Sequence, residues 1–233
     1  MARRKSIIPK LLAVPLIAIV LYSGYRIWGI LGNYRAEAAM HGAVMEYKPE
    51  PEVTVNQSVI DLQAKYPDAV GWLTVPGTKI DYPFVWHGDN DYYLRRDLDG
   101  NGAQAGTLFM DYRCGKDFTS RNTIIYGHHM KNGSMFGTLK RFADKDFFDA
   151  NPRGTIFLPY ETLTLEFFAY LVVKHTDEVI YGVEHGEGCF DYIKQNAKHY
   201  RDPGQAGRDR VITLSTCSYE FDGARTVLLA VIV

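Results

Sequence analysis

A cysteine that closes an apolar run, an arginine eight residues later and a pair of histidines far upstream are the residues of this chain best suited to chemistry. The cysteine is Cys217, in Thr213-Leu214-Ser215-Thr216-Cys217, and the arginine is Arg225. The histidines are His128 and His129, in Ile124-Ile125-Tyr126-Gly127-His128-His129. A thiolate can attack a carbonyl carbon, and a fixed cation or hydrogen-bond donor can stabilise the oxyanion that develops. A histidine can take the thiol proton and later return a proton to the leaving amine. Together these residues suit acyl transfer. Arg225 cannot be the base, because a guanidinium stays protonated. It can hold a carbonyl and its oxyanion through a planar fork of donors that lysine lacks.

The elements that must position these groups are strands. Residues 211–214 are β-branched and apolar and read as a buried strand, and Arg225 opens a second such run over 226–233. The short connection over 218–224 brings thiol and guanidinium to one rim. Within it Asp222-Gly223 reads as a turn, while Tyr219, Glu220 and Phe221 can shape an entrance. Residues 122–126 read as a third strand, with Gly127 permitting a sharp exit. Side-chain alternation sends adjacent strand residues to opposite faces, so one histidine of the pair is expected to face Cys217. The other is expected to be a partly exposed loop residue. Ser215 points to the same face as Cys217. It can meet a bound peptide, hydrogen-bond Arg225 or simply pack.

Further strands are predicted over 71–75, 80–85, 106–110, 155–159 and 162–174, making eight in all, separated by Gly, Pro and Asp turns. This is the pattern of a sandwich or a closed barrel, and closure removes exposed edges. A short helix is expected over 59–66, with helical insertions over 134–142 and 188–200. Asp97-Leu98-Asp99-Gly100-Asn101-Gly102 lacks calcium-loop spacing and reads as a turn. His87, His175, His185 and His199 have no metal-ligand spacing, so no metal or cofactor is expected.

The chain has 233 residues, 46% hydrophobic and 13% aromatic, with a net charge of −1. That balance supports a substantial core and gives no global field for nucleic acid. Sixteen Tyr and twelve Phe suit aromatic strands better than a helical bundle. Three cysteines cannot all pair within one chain, and Cys114 and Cys189 read as small buried hydrophobes.

At the amino terminus Arg3, Arg4, Lys5 and Lys10 precede the uncharged stretch 11–25, and the segment 7–31 is long enough to span a bilayer. The cationic flank predicts a cytoplasmic amino terminus and an extracellular catalytic domain. Ala36-Glu37-Ala38 offers a small-x-small cleavage site as the rival reading, whereas Tyr22, Tyr25 and Trp28 favour a retained interfacial anchor. The expected organisation is a tail and transmembrane helix over 1–32, a stalk over 33–52 broken by Lys48-Pro49-Glu50-Pro51-Glu52, and a catalytic domain over 53–233.

Thr-Leu-Ser-Thr-Cys with a downstream Arg, and Tyr-Gly-His followed by Met130-Lys131-Asn132-Gly133-Ser134-Met135-Phe136, resemble a class B sortase over roughly residues 55–233. These are membrane-anchored cysteine transpeptidases of Gram-positive bacteria. The resemblance implies a mainly β fold, an eight-stranded β-barrel with N-terminal helices and a helical insertion before the Cys-bearing strand. It selects His128, directly after Tyr-Gly, as the base beside Cys217 and Arg225. It also implies cleavage of a C-terminal sorting signal after Thr through a thioester. The surface protein bearing that signal then passes to a peptidoglycan precursor amine or a pilin lysine. Asn90-Asp91-Tyr92-Tyr93-Leu94 is similar to a family segment near the substrate groove. Asn90 thus joins Ser215 and Tyr219 as candidate substrate contacts. A papain-like cell-wall peptidase is the enzymatic rival, but such enzymes place Cys before His and often on a helix. A tethered, non-catalytic binding module would tolerate loss of Cys217.

Overall fold

The computed structural model describes residues 8–50, 55–204 and 208–233. Arg3, Arg4, Lys5, Pro51, Glu52 and the expected domain start at Val53 lie outside the described residues. Two compact units divide the chain, one up to Met40 and one from His41 to Val233. Helix α1 (Ile8–Val44) is continuous through both the expected anchor and most of the expected stalk. The stretch Pro15–Tyr47, most of it within α1, is long and apolar enough to cross a membrane, with a mean hydropathy of 1.3 in its 18-residue apolar window.

The second unit contains α2 (Gln57–Lys65), β1 (Ala69–Thr74), β2 (Asp81–Trp86), β3 (Leu108–Met110), β4 (Asn122–Tyr126), α3 (Lys145–Ala150) and β5 (Arg153–Phe157). There follow β6 (Thr162–Lys174), α4 (Cys189–Asn196), β7 (His199–Tyr200), β8 (Val211–Cys217) and β9 (Ala224–Ile232). The strand order is β5-β1-β2-β3-β4-β8-β9-β6-β7, and β5 also pairs with β6. That last pairing closes eight strands into a barrel, with the two-residue β7 attached outside the ring. β2–β3 and β4–β8 run parallel, and the other pairs are antiparallel.

Two apolar clusters lie on opposite faces of this wall. All eight barrel strands contribute to the first, through Leu73, Phe84, Leu108, Ile125, Ile156, Leu165, Ile212 and Leu228 among others, so it fills the interior. The second takes Ala169, Leu171, Val211, Val227, Leu229 and Val231 from β6, β8 and β9 only, with Ile180, Cys189 and Ile193 over them. It is therefore an outer layer, made by α4 and the connection before it. Along β9, Leu228 and Ala230 point in while Val227, Leu229 and Val231 point out, as the strand period of two requires. A bulge between Phe167 and Ala169 shifts the phase of β6, so Phe168 and Ala169 both belong to the outer layer.

The expected insertion over 134–142 is not one helix. Gly133 and Met135 take positive φ (84° and 50°), which breaks helical hydrogen bonding. A 3₁₀ turn forms at Leu139–Ala143, burying Leu139 and Phe142 three residues apart. Asp144 then starts α3 by accepting the Phe147 N–H at 2.9 Å. The expected turn over 97–102 is present: the Asn101 N–H donates to Asp97 Oδ1 at 2.8 Å, and Gly100 has φ 79°.

Candidate active site

Strand register accounts for the site. β4 pairs with β8 through Asn122↔Val211, Ile124↔Thr213 and Tyr126↔Ser215. β8 pairs with β9 through Val211↔Val231, Thr213↔Leu229, Ser215↔Val227 and Cys217↔Arg225. Val211, Val227, Leu229 and Val231 belong to the outer layer, so these rows lie on the outer face. Two residues beyond the Tyr126–Ser215–Val227 row, β8 and β9 reach the pair Cys217↔Arg225, and His128 lies two residues past the end of β4. Gly127 extends the β4–β8 pairing past the strand end by donating its N–H to the Ser215 carbonyl at 3.2 Å. Neighbouring strands lie about 4.8 Å apart, so Cys217 and Arg225 are adjacent on one rim.

His128, Cys217 and Arg225 border a cavity of about 720 Å³, together with Asn90, Leu94 and Ser215. The opposite wall is the connection over 175–188, which contributes Asp177, Glu178 and Tyr181. Tyr219 is exposed and is not part of the lining; its ring stands edge-on to His129, with centroids 5.6 Å apart.

Cys217 is half-buried, whereas Cys114 and Cys189 are buried, and all three are free. Burial raises the Cys114 thiol and pushes that of Cys189 up to about 11, which keeps both protonated and inert. His128 Nε2–H donates to the Leu94 carbonyl at 2.7 Å. That oxygen can only accept, so Nε2 carries a hydrogen, and in the neutral ring Nδ1 is then the basic nitrogen. Gly106 makes room for this contact. With φ 61°, it sits where a Cβ would come within 2.6 Å of both the Tyr93 and Leu94 carbonyl oxygens. Gly127 also supplies space rather than a left-handed turn, since a Cβ there would lie 2.4 Å from Leu108 Cδ2.

Arg225 donates from Nη1 to the Ala224 carbonyl at 3.0 Å. Ser215 does not bond it. Its hydroxyl shares a 2.8 Å hydrogen bond with Tyr181, whose phenol burial pushes up to about 12. Asn90 Oδ1 accepts the Tyr112 N–H at 3.0 Å, holding the Asn90 side chain beside the cavity.

Polar residues to which the sequence analysis gave no role build the walls. Asp111 is buried and accepts from Arg113 Nε (2.8 Å), Arg113 Nη2 (2.7 Å) and the Tyr126 hydroxyl (3.0 Å). Burial works against its charge, yet these donors prevail and hold the carboxyl below its usual range. Arg113 Nη2 also donates to the Tyr181 carbonyl at 3.1 Å. Asn122, fully buried in β4, donates Nδ2 to the Ile180 and Gly182 carbonyls (3.0 and 2.8 Å) and accepts from Thr213 Oγ1 (2.6 Å). An asparagine at the head of an otherwise apolar strand, and an Asp-x-Arg pair just after one, were the available signals.

Comparison with known proteins agrees with this arrangement. A model of the sortase domain matches residues 73–233. Sortase B of Listeria monocytogenes is 35% identical over 235 aligned residues, covering 94% of this chain and 93% of that protein. Sortase B from Bacillus anthracis, in complex with AAEK1, superposes with a TM-score of 0.73 at 30% identity, over 87% of this chain and 99% of that one. A Streptococcus pyogenes class B sortase involved in pilus biogenesis gives 0.69 at 30%, over 75% and 98%. Barrel closure, strand order and relatedness over nearly the whole length converge on one conclusion: this chain belongs to the sortase family, as a class B cysteine transpeptidase.

Proposed function

We propose that Cys217 is the nucleophile, His128 the acid–base group and Arg225 the oxyanion donor in a transpeptidation that begins with cleavage of a sorting signal after Thr. The observation that carries this reading is that the paired Cys217 and Arg225 of β8 and β9, and His128 two residues past the end of β4, line one cavity. Nδ1 of His128 takes the Cys217 proton as Sγ attacks the Thr carbonyl carbon. The carbonyl oxygen becomes the oxyanion beside the Arg225 guanidinium. On collapse the C–N bond breaks, the imidazolium returns its proton to the departing amine, and a thioester remains on Cys217. The Leu94 carbonyl accepts from Nε2–H throughout and favours the charged imidazolium, as the third group of a catalytic triad does. An incoming amine attacks the thioester, gives its proton to His128, and Cys217 leaves as the thiol.

Asn90 and Ser215 border the same cavity and are assigned to the sorting peptide; Tyr219, on the β8–β9 loop outside it, is assigned to the entrance. The substrate is a surface protein carrying the signal, and the acceptor a peptidoglycan precursor amine or a pilin lysine. The helix over Pro15–Tyr47 serves as a retained anchor, amino terminus inside, placing the catalytic unit outside the cell beside lipid-linked wall precursors.

The test is to incubate detergent-solubilised full-length chain with a Thr-containing sorting peptide and look for the acyl adduct by mass spectrometry. A hydroxylamine-labile adduct on Cys217 is expected, with no turnover in Cys217→Ala. Undiminished turnover in that variant would sink the reading.

A further inference from the structure

Beside Cys217 stands a second histidine that the scheme above does not use. His129 is half-buried, and its Nδ1–H donates to the backbone carbonyl of Cys217 at 3.1 Å, across 88 positions of sequence. We propose that His129 is a positioning residue for the nucleophile, pinning the carbonyl of Cys217 and so fixing the end of β8 from which the thiol projects. This inference rests on the assignment of Cys217 as nucleophile.

On its β9 side the end of β8 is paired, Cys217 with Arg225, and the Ser218 N–H donates to the Ala224 carbonyl at 3.0 Å; the β4 side is the open one. Cys217 is the last ladder residue of the strand, and beyond it the chain enters an exposed connection in which Tyr219 and Phe221 face solvent. On the β4 side the parallel ladder ends at Tyr126↔Ser215, followed by the single Gly127 N–H bond to Ser215. Backbone pairing from β4 therefore stops short of Cys217, and the His129 side chain supplies the next link. The histidine is itself firmly held. Its backbone forms a bridge with Met135, and the His128 carbonyl accepts the Phe136 N–H at 3.0 Å. Met135, with φ 50° and buried, closes this hairpin. On its far side the imidazole meets the Tyr219 ring edge-on, so one side chain touches both the nucleophile's carbonyl and the loop that follows it.

The tautomer follows from the contact. A carbonyl oxygen only accepts, so Nδ1 of His129 carries hydrogen. Burial, and then the charge of Lys140, lower the pKa of this ring, which favours the neutral form with its single N–H committed to Cys217. His128 and His129 thus donate from opposite ring nitrogens, Nε2 to Leu94 and Nδ1 to Cys217. His128 borders the cavity, and His129 acts through the strand.

Two substitutions separate this role from plain packing. His129→Asn places an amide N–H near the position of Nδ1 but removes the ring. His129→Phe keeps the ring against Tyr219 but removes the donor. With full-length protein in detergent and one sorting peptide, His129→Phe should lower kcat about tenfold with KM within about twofold, since a nucleophile displaced by a fraction of an ångström loses attack geometry. The rate of Cys217 alkylation by iodoacetamide should fall in parallel. His129→Asn should restore kcat to within about threefold of the parent chain. Parental kcat in His129→Phe, or no recovery in His129→Asn relative to Phe, would overturn the proposal. Turnover that survives Cys217→Ala in the same assay would instead overturn the nucleophile assignment, whatever the His129 variants do.

Discussion

The two sides of the cavity at Cys217 are built by different means. One side is the rim of three barrel strands, where backbone ladders between β4, β8 and β9 place Tyr126, Ser215 and Cys217↔Arg225 in register. The other is the connection over 175–188, which has no ladder and is tied down by a few polar groups. Asn122 binds its carbonyls at Ile180 and Gly182, Arg113 binds that of Tyr181, and Arg121 Nη1 binds that of His185 at 3.3 Å. Beneath the rim, Ile212, Leu214 and Leu228 fill the barrel interior and are fully buried, each contributing about 1.5–3 kcal/mol by burial. Opening the rim therefore means opening the barrel, whereas the wall can loosen locally. The difference suits a transpeptidase, which must hold reacting atoms still while admitting two peptidic substrates in turn.

The largest effect expected is on the rim. His128→Ala should lower turnover by about 10²–10⁴-fold, the usual worth of general acid–base transfer, with the melting temperature unchanged. Stopped assays with one peptide at fixed pH, beside a melt, check this. A change in turnover of less than about fivefold would remove His128 from the chemistry and end the distinction between a catalytic rim and a binding wall.

The rim was legible in the sequence and the wall was not. β4 and β6 have the expected bounds, because β-branched and aromatic residues run through both. Cys217 and Arg225 at the two ends of one hairpin follow from that reading, and the barrel follows once its edge strands pair. The connection over 175–188 has no periodicity to read. Its course is decided by Asn122 and Arg113, 58–68 positions away in sequence, and neither residue type announces such a partner. His129 is a partly exposed residue past the strand end, as expected, but its bond to the Cys217 carbonyl was not legible. Strict alternation applies inside a strand, but β4 ends at Tyr126, so by position 129 the side chain had returned toward Cys217. The roles assigned to Asn90, Ser215 and Tyr219 await substrate, though the first two already border the cavity.

A second prediction uses acid to pull wall and rim apart. His185 lies in the wall, is 6% exposed, and neither ring nitrogen has a hydrogen-bond partner among the described residues. Burial, and then the charge of Arg121, lower its pKa from 6.5 to about 4. The sign follows from proton binding. Between those values the opened state binds a proton that the closed state refuses, so closure is favoured fully above pH 6.5 and progressively less as pH falls toward 4. At pH 5 the loss is at most about 2 kcal/mol, or roughly thirtyfold in the opening equilibrium. Hydrogen exchange corrected for intrinsic rates should thus rise in 175–188 between pH 7 and pH 5 while β4, β8 and β9 stay protected. His185→Phe should flatten that response. Equal loss of protection in both regions would mean that the wall does not open separately from the barrel.

The smallest expected effect is also the sharpest probe of the division of labour. Tyr181 belongs to the wall by sequence, but its hydroxyl shares a 2.8 Å hydrogen bond with Ser215 on the rim. Tyr181→Phe deletes that oxygen and keeps the ring stacked on Tyr126, with centroids 6.3 Å apart. The Ser215 hydroxyl is then left facing the cavity, where water or peptide can satisfy it. The net cost should match one neutral hydrogen bond, about 0.5–1.5 kcal/mol, which is roughly a two- to tenfold change. If the wall serves binding, that change falls on KM and leaves kcat within about twofold, because the lost contact orders the cavity in ground and transition states alike. A fall in kcat of more than about tenfold at constant KM would place Tyr181 in the chemistry, and the boundary between rim and wall would then have to be drawn through Tyr181 rather than in front of it.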